Sequence, residues 1–448
     1  MDTNVSDVLP NVRLEVTEST PLLSDNSSNS PPDAPKWRKA AIIACGLVQQ
    51  FVSVGLGFGL SVMYPELINI FNSRRSNAAL IQGLYMGLST GGGILWAPLI
   101  QKYGPGKSVL VGSLVTCVGL LASSFAEELW TIILCTGVIA GMGMCTCYLS
   151  AFITVSWVFH KDPGVPLVCL TMGSSLGQFV IPYLYEICIE KYAWSGAFIL
   201  VSGISLQCIP FGLIMYGAQE YFVTGKKASK RKSVCETSLL TDVLVWILLV
   251  NCLLVALTGN VEAWFIVDIL MSRGFSRQAG SLLVSIIGAA NFLGRVSGTF
   301  IKFKFTRTPT IAHWVYICPF IALAHALVIS LEDYYAIMGA CILQGAFFGV
   351  TNSQTPALMY EAAGHNRYPQ AMSLVNLMYG FGNLLSNVLG GIIRDELGEY
   401  DLAFYISVCT ALYMTFSSLV ATLIIWRRRK EEETRQRWDG NYETVISF

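Results

Sequence analysis

The chain has 448 residues, 53% hydrophobic and only 13% charged, with a mean hydropathy of +0.55. An ordinary soluble domain carries roughly 25% charged residues, so a soluble fold of this size would lack the charge to cover its surface. The 29 basic residues balance 29 acidic ones, which leaves no basic field for nucleic acid and makes a multi-span membrane protein the economical reading.

Residues 1–35 are polar, with Asn-Ser runs and Pro31-Pro32-Asp33-Ala34-Pro35 but no early apolar core. They read as a disordered cytosolic tail rather than a cleavable signal, and their sequons at Asn4 and Asn26 are expected to stay unglycosylated. A helix needs about 20 apolar residues to cross a ~30 Å hydrocarbon core. Six such segments, Ala40–Tyr64, Ala79–Gln101, Ser108–Phe125, Leu129–Trp157, Gly164–Ile187 and Ser195–Tyr216, make an N-terminal half over residues 36–216. A basic linker loop at 217–241 follows. Six more, Val243–Asp268, Ala279–Ile301, Ile311–Ser330, Ala336–Tyr360, Ala371–Ile393 and Leu402–Trp426, make a C-terminal half over 242–426, and residues 427–448 form a tail. The expected fold is an all-α membrane protein of twelve transmembrane helices in two six-helix halves, here numbered span one to span twelve.

Lys and Arg set the orientation, because they accumulate on the cytosolic side. Twenty-two of the 29 fall on the side of the termini, including Lys226, Lys227, Lys230, Arg231 and Lys232 of the linker; six fall on the other side, and Arg295 lies inside a span. Both termini are expected in the cytosol. The four His residues have no metal-ligand spacing, the thirteen Cys lie almost entirely in spans, and no phosphate-binding loop appears, so no cofactor or metal is expected. Five GxxxG pairs (Gly87–Gly91, Gly137–Gly141, Gly173–Gly177, Gly294–Gly298, Gly345–Gly349) suit close helix packing inside one bundle. Two six-span halves joined by a basic loop fit the repeat plan of secondary transporters, whose site lies between the halves.

Several stretches carry a family likeness. Lys102-Tyr103-Gly104-Pro105-Gly106-Lys107 lies between spans two and three, and Trp157-Val158-Phe159-His160-Lys161 leaves span four. Gly173-Ser174-Ser175-Leu176-Gly177 follows, then Tyr192-Ala193-Trp194-Ser195-Gly196-Ala197-Phe198, and late in the chain Gly390-Gly391-Ile392-Ile393-Arg394-Asp395 with Gly398-Glu399-Tyr400. In that order over residues 36–430 the chain resembles the major facilitator superfamily and, within it, the monocarboxylate transporter family (solute carrier family 16). The resemblance implies that superfamily's fold, transport of a small solute by alternating access, and a single-span ancillary glycoprotein as partner. It also has gaps. Lys36-Trp37-Arg38-Lys39 replaces the family's opening before span one, Tyr64-Pro65-Glu66 stands where a substrate-side Lys is expected, and the Asp-x-x-x-Arg of proton-coupled members reads Asn291-Phe292-Leu293-Gly294-Arg295. Asp-based proton coupling is therefore not expected.

An Arg well inside a span costs ~2.5–3.5 kcal/mol at a helix centre, so Arg295 must face a cavity or a partner. Asn291 lies one turn away on the same face. A guanidinium facing a cavity receives a carboxylate through two parallel charge-assisted bonds; the alternatives are structural pairing with Glu262, Asp268 or Glu361, or snorkelling to the cytosolic surface. Arg295, Asn291 and Glu66 are the candidate substrate-binding residues, and Glu361, Asn260, Glu262 and Asp268 the candidate gate or cavity residues. Three functions stay open: secondary transport of a small organic anion such as a monocarboxylate, facilitated diffusion of a neutral or zwitterionic (amino-acid- or creatine-like) solute with Glu66 opposing Arg295, or a non-transporting sensor or scaffold. Glu18-Ser19-Thr20-Pro21-Leu22-Leu23 and Tyr442-Glu443-Thr444-Val445 fit sorting-adaptor motifs. They set an endosomal or lysosomal membrane against the plasma membrane, which is the first choice.

Overall fold

The computed structural model describes residues 34–159, 164–222, 241–305 and 308–446. The dileucine motif, both sequons, the linker lysines and His160–Lys161 lie outside the described residues. The described chain is almost wholly helical. Large apolar side chains such as Val118, Leu293, Phe300 and Phe416 are about two-thirds exposed on its outer surface. A soluble protein would bury such a belt; lipid satisfies it.

Nine helical segments among the described residues are long and apolar enough to cross a membrane. One of them, Val165–Tyr216, is 52 residues long and carries both span five and span six, turning at Ala193, whose φ of 58° lies in the left-handed region. Trp194 braces that corner against Phe71 and Phe198. Spans two and eleven are not among these nine. Span two is divided at Gly92 into Arg75–Gly91 and Gly93–Tyr103, and span eleven shares one helical stretch with span ten, Tyr334–Leu397. Span seven is broken as well, into Val243–Thr258 and Val261–Ser272, with Gly259 and Asn260 between them. Span four contains a widened π segment, Ile133–Ala140.

All five GxxxG pairs meet a neighbouring helix of the same chain. Gly87 and Gly91 lie against Leu384 and Gly380 of span eleven, Gly137 and Gly141 against span two, Gly173 and Gly177 against span one, and the last two pairs clasp spans eight and ten together. A Cβ on Gly91 would sit 2.9 Å from the Gly380 Cα, so this crossing between the halves needs glycine. Span eight meets span five in the same way, since a Cβ on Gly288 would strike the backbone of Gln178 and Phe179. These two crossings, two on eleven and five on eight, form the seam that holds the site. At the face carrying the termini each half ties its own ends together: Arg38 of span one donates to the Gly217 carbonyl after span six, and Arg428 after span twelve pairs with Asp242 before span seven.

Candidate binding site

Span eight starts behind Ser276, whose hydroxyl accepts the Ala279 N–H, and ends at Lys304. Arg295 is nine residues before that end, roughly 14 Å along the helix at 1.5 Å per residue. Its Nε donates to Asn291 Oδ1 at 2.8 Å, and its Nη1 donates across the seam to the Thr171 carbonyl of span five at 2.9 Å. Ser175, one turn beyond Thr171, donates its hydroxyl to the same Asn291 oxygen at 3.1 Å. Tyr148 of span four and Tyr379 of span eleven stand close enough to interact electrostatically with the guanidinium. Tyr379 donates to Asn352 Oδ1 at 3.2 Å and lies 3.4 Å from the Thr355 hydroxyl, while Gln50 of span one donates to the Tyr148 carbonyl. Both halves thus contribute polar groups to a half-buried cation.

The carboxylates that the sequence offered as partners for Arg295 are engaged elsewhere. Glu262 lies 2.5 Å from His325, Asp268 lies 3.0 Å from Arg75, and Glu361 accepts the Thr310 N–H and hydroxyl at 2.9 and 2.7 Å. Among the described residues Arg295 forms no ion pair, and its polar contacts are an amide oxygen and a backbone carbonyl. That arrangement satisfies part of the guanidinium and leaves its charge unneutralised. Such a group can take a carboxylate through its planar fork.

The face opposite the termini is arranged differently. Arg277, at the start of span eight, reaches across to two carboxylates of the N-terminal half, Glu66 at 2.5 Å and Glu186 at 2.8 Å. Arg75, at the start of span two, pairs in return with Asp268 of the C-terminal half. Asp268 also accepts the Tyr400 hydroxyl at 2.8 Å, and Tyr400 meets the Tyr64 hydroxyl at 3.2 Å. Asp395 of span eleven caps span two, accepting the backbone N–H groups of Arg75 and Ser76 at 2.9 and 2.8 Å; an anion there also complements the helix dipole. Burial alone would raise the Asp395 carboxyl, and these hydrogen bonds overcome it and hold it below its ordinary value. Phe58 stacks on Trp264 with ring centroids 4.6 Å apart, adding an apolar plug across the seam. This face is shut.

The candidate residues therefore separate. Arg295 and Asn291 come together in the seam. Glu66 sits in the closure on Arg277, far along the molecule from Arg295. Asp268 joins the same closure, Asn260 lies at the break in span seven, and Glu262 turns into its own half toward His325. Glu361, a candidate gate or cavity residue, caps span nine at Thr310. In the sequence Tyr148, Thr171 and Tyr379 carry no signal beyond a polar or aromatic side chain inside a span, and Ser175 stands out only as part of the Gly173–Gly177 stretch. Arg75 and Arg277 are two of the six basic residues on the side opposite the termini, and acidic residues at the ends of spans one, five and seven stand on the same face.

With the geometry in place, comparison with known proteins is informative. The Major Facilitator Superfamily profile matches residues 46–313 and 310–447. The chain is similar to Monocarboxylate transporter 3 of Rattus norvegicus, 24% identical over 387 residues that cover 84% of this chain and 78% of that protein. It is also similar to Monocarboxylate transporter 2 of Homo sapiens, 21% identical over 448 residues covering 93% and 92%. Among solved structures it resembles a bacterial homologue of the human lysosomal transporter Spinster, crystallised inward-facing and unoccupied. The TM-score is 0.62 at 16% identity, over 88% of this chain and 98% of that one, a likeness of fold.

Proposed function

The chain belongs to the major facilitator superfamily, and on that premise we propose that its cargo is a small organic anion bearing a carboxylate. It is a divergent member similar to the monocarboxylate transporters, a multi-pass membrane protein and a secondary transporter rather than an enzyme. The observation that carries the anion reading is Arg295: a cation in the seam between halves, bonded to both of them, with no carboxylate against it among the described residues. A carboxylate arriving on the fork competes with the Thr171 carbonyl for Nη1. It thereby replaces a bond between the halves with bonds to the solute, which ties occupancy to their relative movement. The closed state keeps Glu66 on Arg277, which disfavours a zwitterion held between Glu66 and Arg295.

Alternating access then exchanges the shut face opposite the termini for an opening there, with Arg277 and Arg75 releasing their partners. With both termini in the cytosol, as the Lys and Arg distribution implies, the shut face is the outer one. An impermeant label on a tag after Phe448 tests that orientation, since labelling on intact cells contradicts it. Asn291 carries an amide where proton-coupled relatives have an ionisable Asp, so the protein works as a facilitator or exchanger at this site. The plasma membrane is its place in this reading, with the dileucine motif favouring endosomes or lysosomes as the alternative.

The test is uptake of a labelled panel into proteoliposomes containing the purified full chain: monocarboxylates, their neutral analogues, and amino-acid- or creatine-like zwitterions. Saturable uptake confined to the monocarboxylates is expected. Equal uptake of the neutral or zwitterionic members would overturn the anion reading.

A further inference from the structure

On the face opposite the termini, the C-terminal half holds a cavity of about 370 Å³ between the ends of spans seven, nine, eleven and twelve. Small-molecule sites run from roughly 300 to 1,000 Å³, so the volume suits a compact ligand. One turn builds it. The helix carrying span eleven stops at Leu397, Gly398 follows with φ 77°, and span twelve restarts at Asp401. That left-handed residue favours glycine. The reversal lays Tyr400 against span eleven, with the Arg394 guanidinium 5.3 Å from the centre of its ring. Four charged side chains line the cavity: Arg273 behind span seven, Arg394 of span eleven, and Glu399 and Asp401 at the turn. Among the described residues none of the four forms an ion pair with another.

Arg394 is the informative one. Its side chain is only 14% exposed, and the carboxylate it approaches, Asp268, has Oδ2 3.9 Å from Nε, beyond hydrogen-bond reach. That oxygen already accepts Arg75 Nε at 3.0 Å and the Tyr400 hydroxyl at 2.8 Å, which uses its two lone pairs. The guanidinium makes no hydrogen bond among the described residues. Arg273 is anchored by the Val328 and Leu331 carbonyls at the end of span nine and meets no carboxylate among the described residues. Charges in open water stay apart at little cost, which accounts for the exposed Glu399. A guanidinium largely withdrawn from water leaves its donors unmet, and the cavity is where a partner reaches them.

Two cations and two carboxylates make the lining neutral overall and of both signs. A simple anion would gain the guanidinium groups and face the carboxylates, and a simple cation would meet the reverse. A molecule carrying both signs satisfies all four. We propose that this cavity is a second binding site, for a small zwitterion whose phosphate or carboxylate is held by Arg394 and Arg273 and whose ammonium is held by Asp401 and Glu399. The planar fork of each Arg suits either anionic group. Such a ligand comes either from water, as a free solute, or from the membrane, as an aminophospholipid headgroup; Leu397 and Leu402, both exposed beside the cavity, bring lipid within reach. The site is separate from Arg295 and does not depend on the identity of the solute bound there.

Binding of tritium-labelled glycerophosphoethanolamine to the purified full chain in maltoside micelles, which carry no charged headgroup, tests the site. Saturable binding is expected. Glycerophosphoglycerol, which has the phosphodiester without the ammonium, and ethanolamine, which has the ammonium alone, should each bind at least about tenfold more weakly. Arg394→Gln and Asp401→Asn should each weaken the probe at least about tenfold, and Arg394→Lys, which keeps the charge and loses the fork, should fall between. Adding phosphatidylethanolamine to the micelles separates the two sources: displacement of the probe identifies the lipid headgroup, and undisturbed binding identifies a free solute. No saturable binding by the wild type, glycerophosphoglycerol binding as tightly as the zwitterion, or full-strength binding in a folded Arg394→Gln variant would overturn the proposal. The comparison of the three probes needs the wild type alone, so it decides the matter even where a variant fails to fold.

Discussion

Span eight treats its two half-buried guanidinium groups in opposite ways. Arg277, at the shut face, is held between Glu66 and Glu186 and is neutralised on the spot. Arg295, eighteen residues along the same helix, is held by an amide oxygen and a backbone carbonyl and keeps its charge. Ion pairs that must break and remake serve a gate, because once water enters each partner is solvated and the pair is worth little. A cation that must bind an incoming anion has to be held without being neutralised, and neutral acceptors do that. In the proposed mechanism, what separates a gate residue from a receptor residue is the charge of what each touches.

The strongest way to break this contrast is at the receptor. Arg295→Lys keeps the charge and loses the fork, and solute uptake should fall roughly 10- to 100-fold, the worth of one charged hydrogen bond at ~1.5–3 kcal/mol. Normal uptake by a correctly assembled Lys variant would assign Arg295 to structure. The next effect is at the gate. Arg277→Gln leaves two carboxylates facing each other without a cation, so the closure should open more often. Backbone hydrogen exchange at residues 67–76 and 269–278 should rise several-fold, and unchanged protection would mean that Arg75, Asp395 and the aromatic plug hold the face alone.

Converting the receptor toward a gate is a smaller perturbation. Asn291→Asp places an ionisable carboxylate one turn from Arg295, where it competes with the solute when charged and releases the guanidinium when protonated. Uptake should then become pH-dependent, rising about two- to threefold with an inward proton gradient at clamped voltage. A gradient response already as large in the wild type would show that another residue drives accumulation. The smallest effect concerns Asp395, whose carboxyl is held below its ordinary value of 3.8. A depressed carboxyl gives its full contribution above the ordinary value and loses it only as pH falls through the lowered one. Protection at Ser76, corrected for intrinsic exchange, should therefore stay flat between about pH 5 and about pH 8; a decline inside that window would show that the cap is not what holds span two.

How far the sequence foretold these features follows from the physics of each. Hydropathy marked the spans because length and apolarity are local properties, and the small-residue pairs marked helix contacts because glycine admits a neighbouring backbone wherever it occurs. Breaks such as Gly259-Asn260 in span seven were hidden, since an apolar window averages over them. Arg295 was legible because a charge inside a span has few explanations. Its surroundings were not: Thr171 contributes a backbone carbonyl, which every residue has, and Tyr379 looked like one aromatic among many. The contacts of Glu66 with Arg277 and of Glu361 with Thr310 were hidden for a related reason. Charges at span ends declare their face of the membrane but not which helix they will meet, and that depends on how twelve spans are arranged around the seam.

The central claim is that Arg295 waits unneutralised for a carboxylate, and equilibrium binding to the purified full chain tests it most directly. A labelled monocarboxylate and its neutral amide, matched in size, should differ in affinity by at least about tenfold in favour of the acid, and Arg295→Gln should erase that difference by weakening only the acid. Equal binding of acid and amide by the wild type, or a preference that survives in Arg295→Gln, would contradict it.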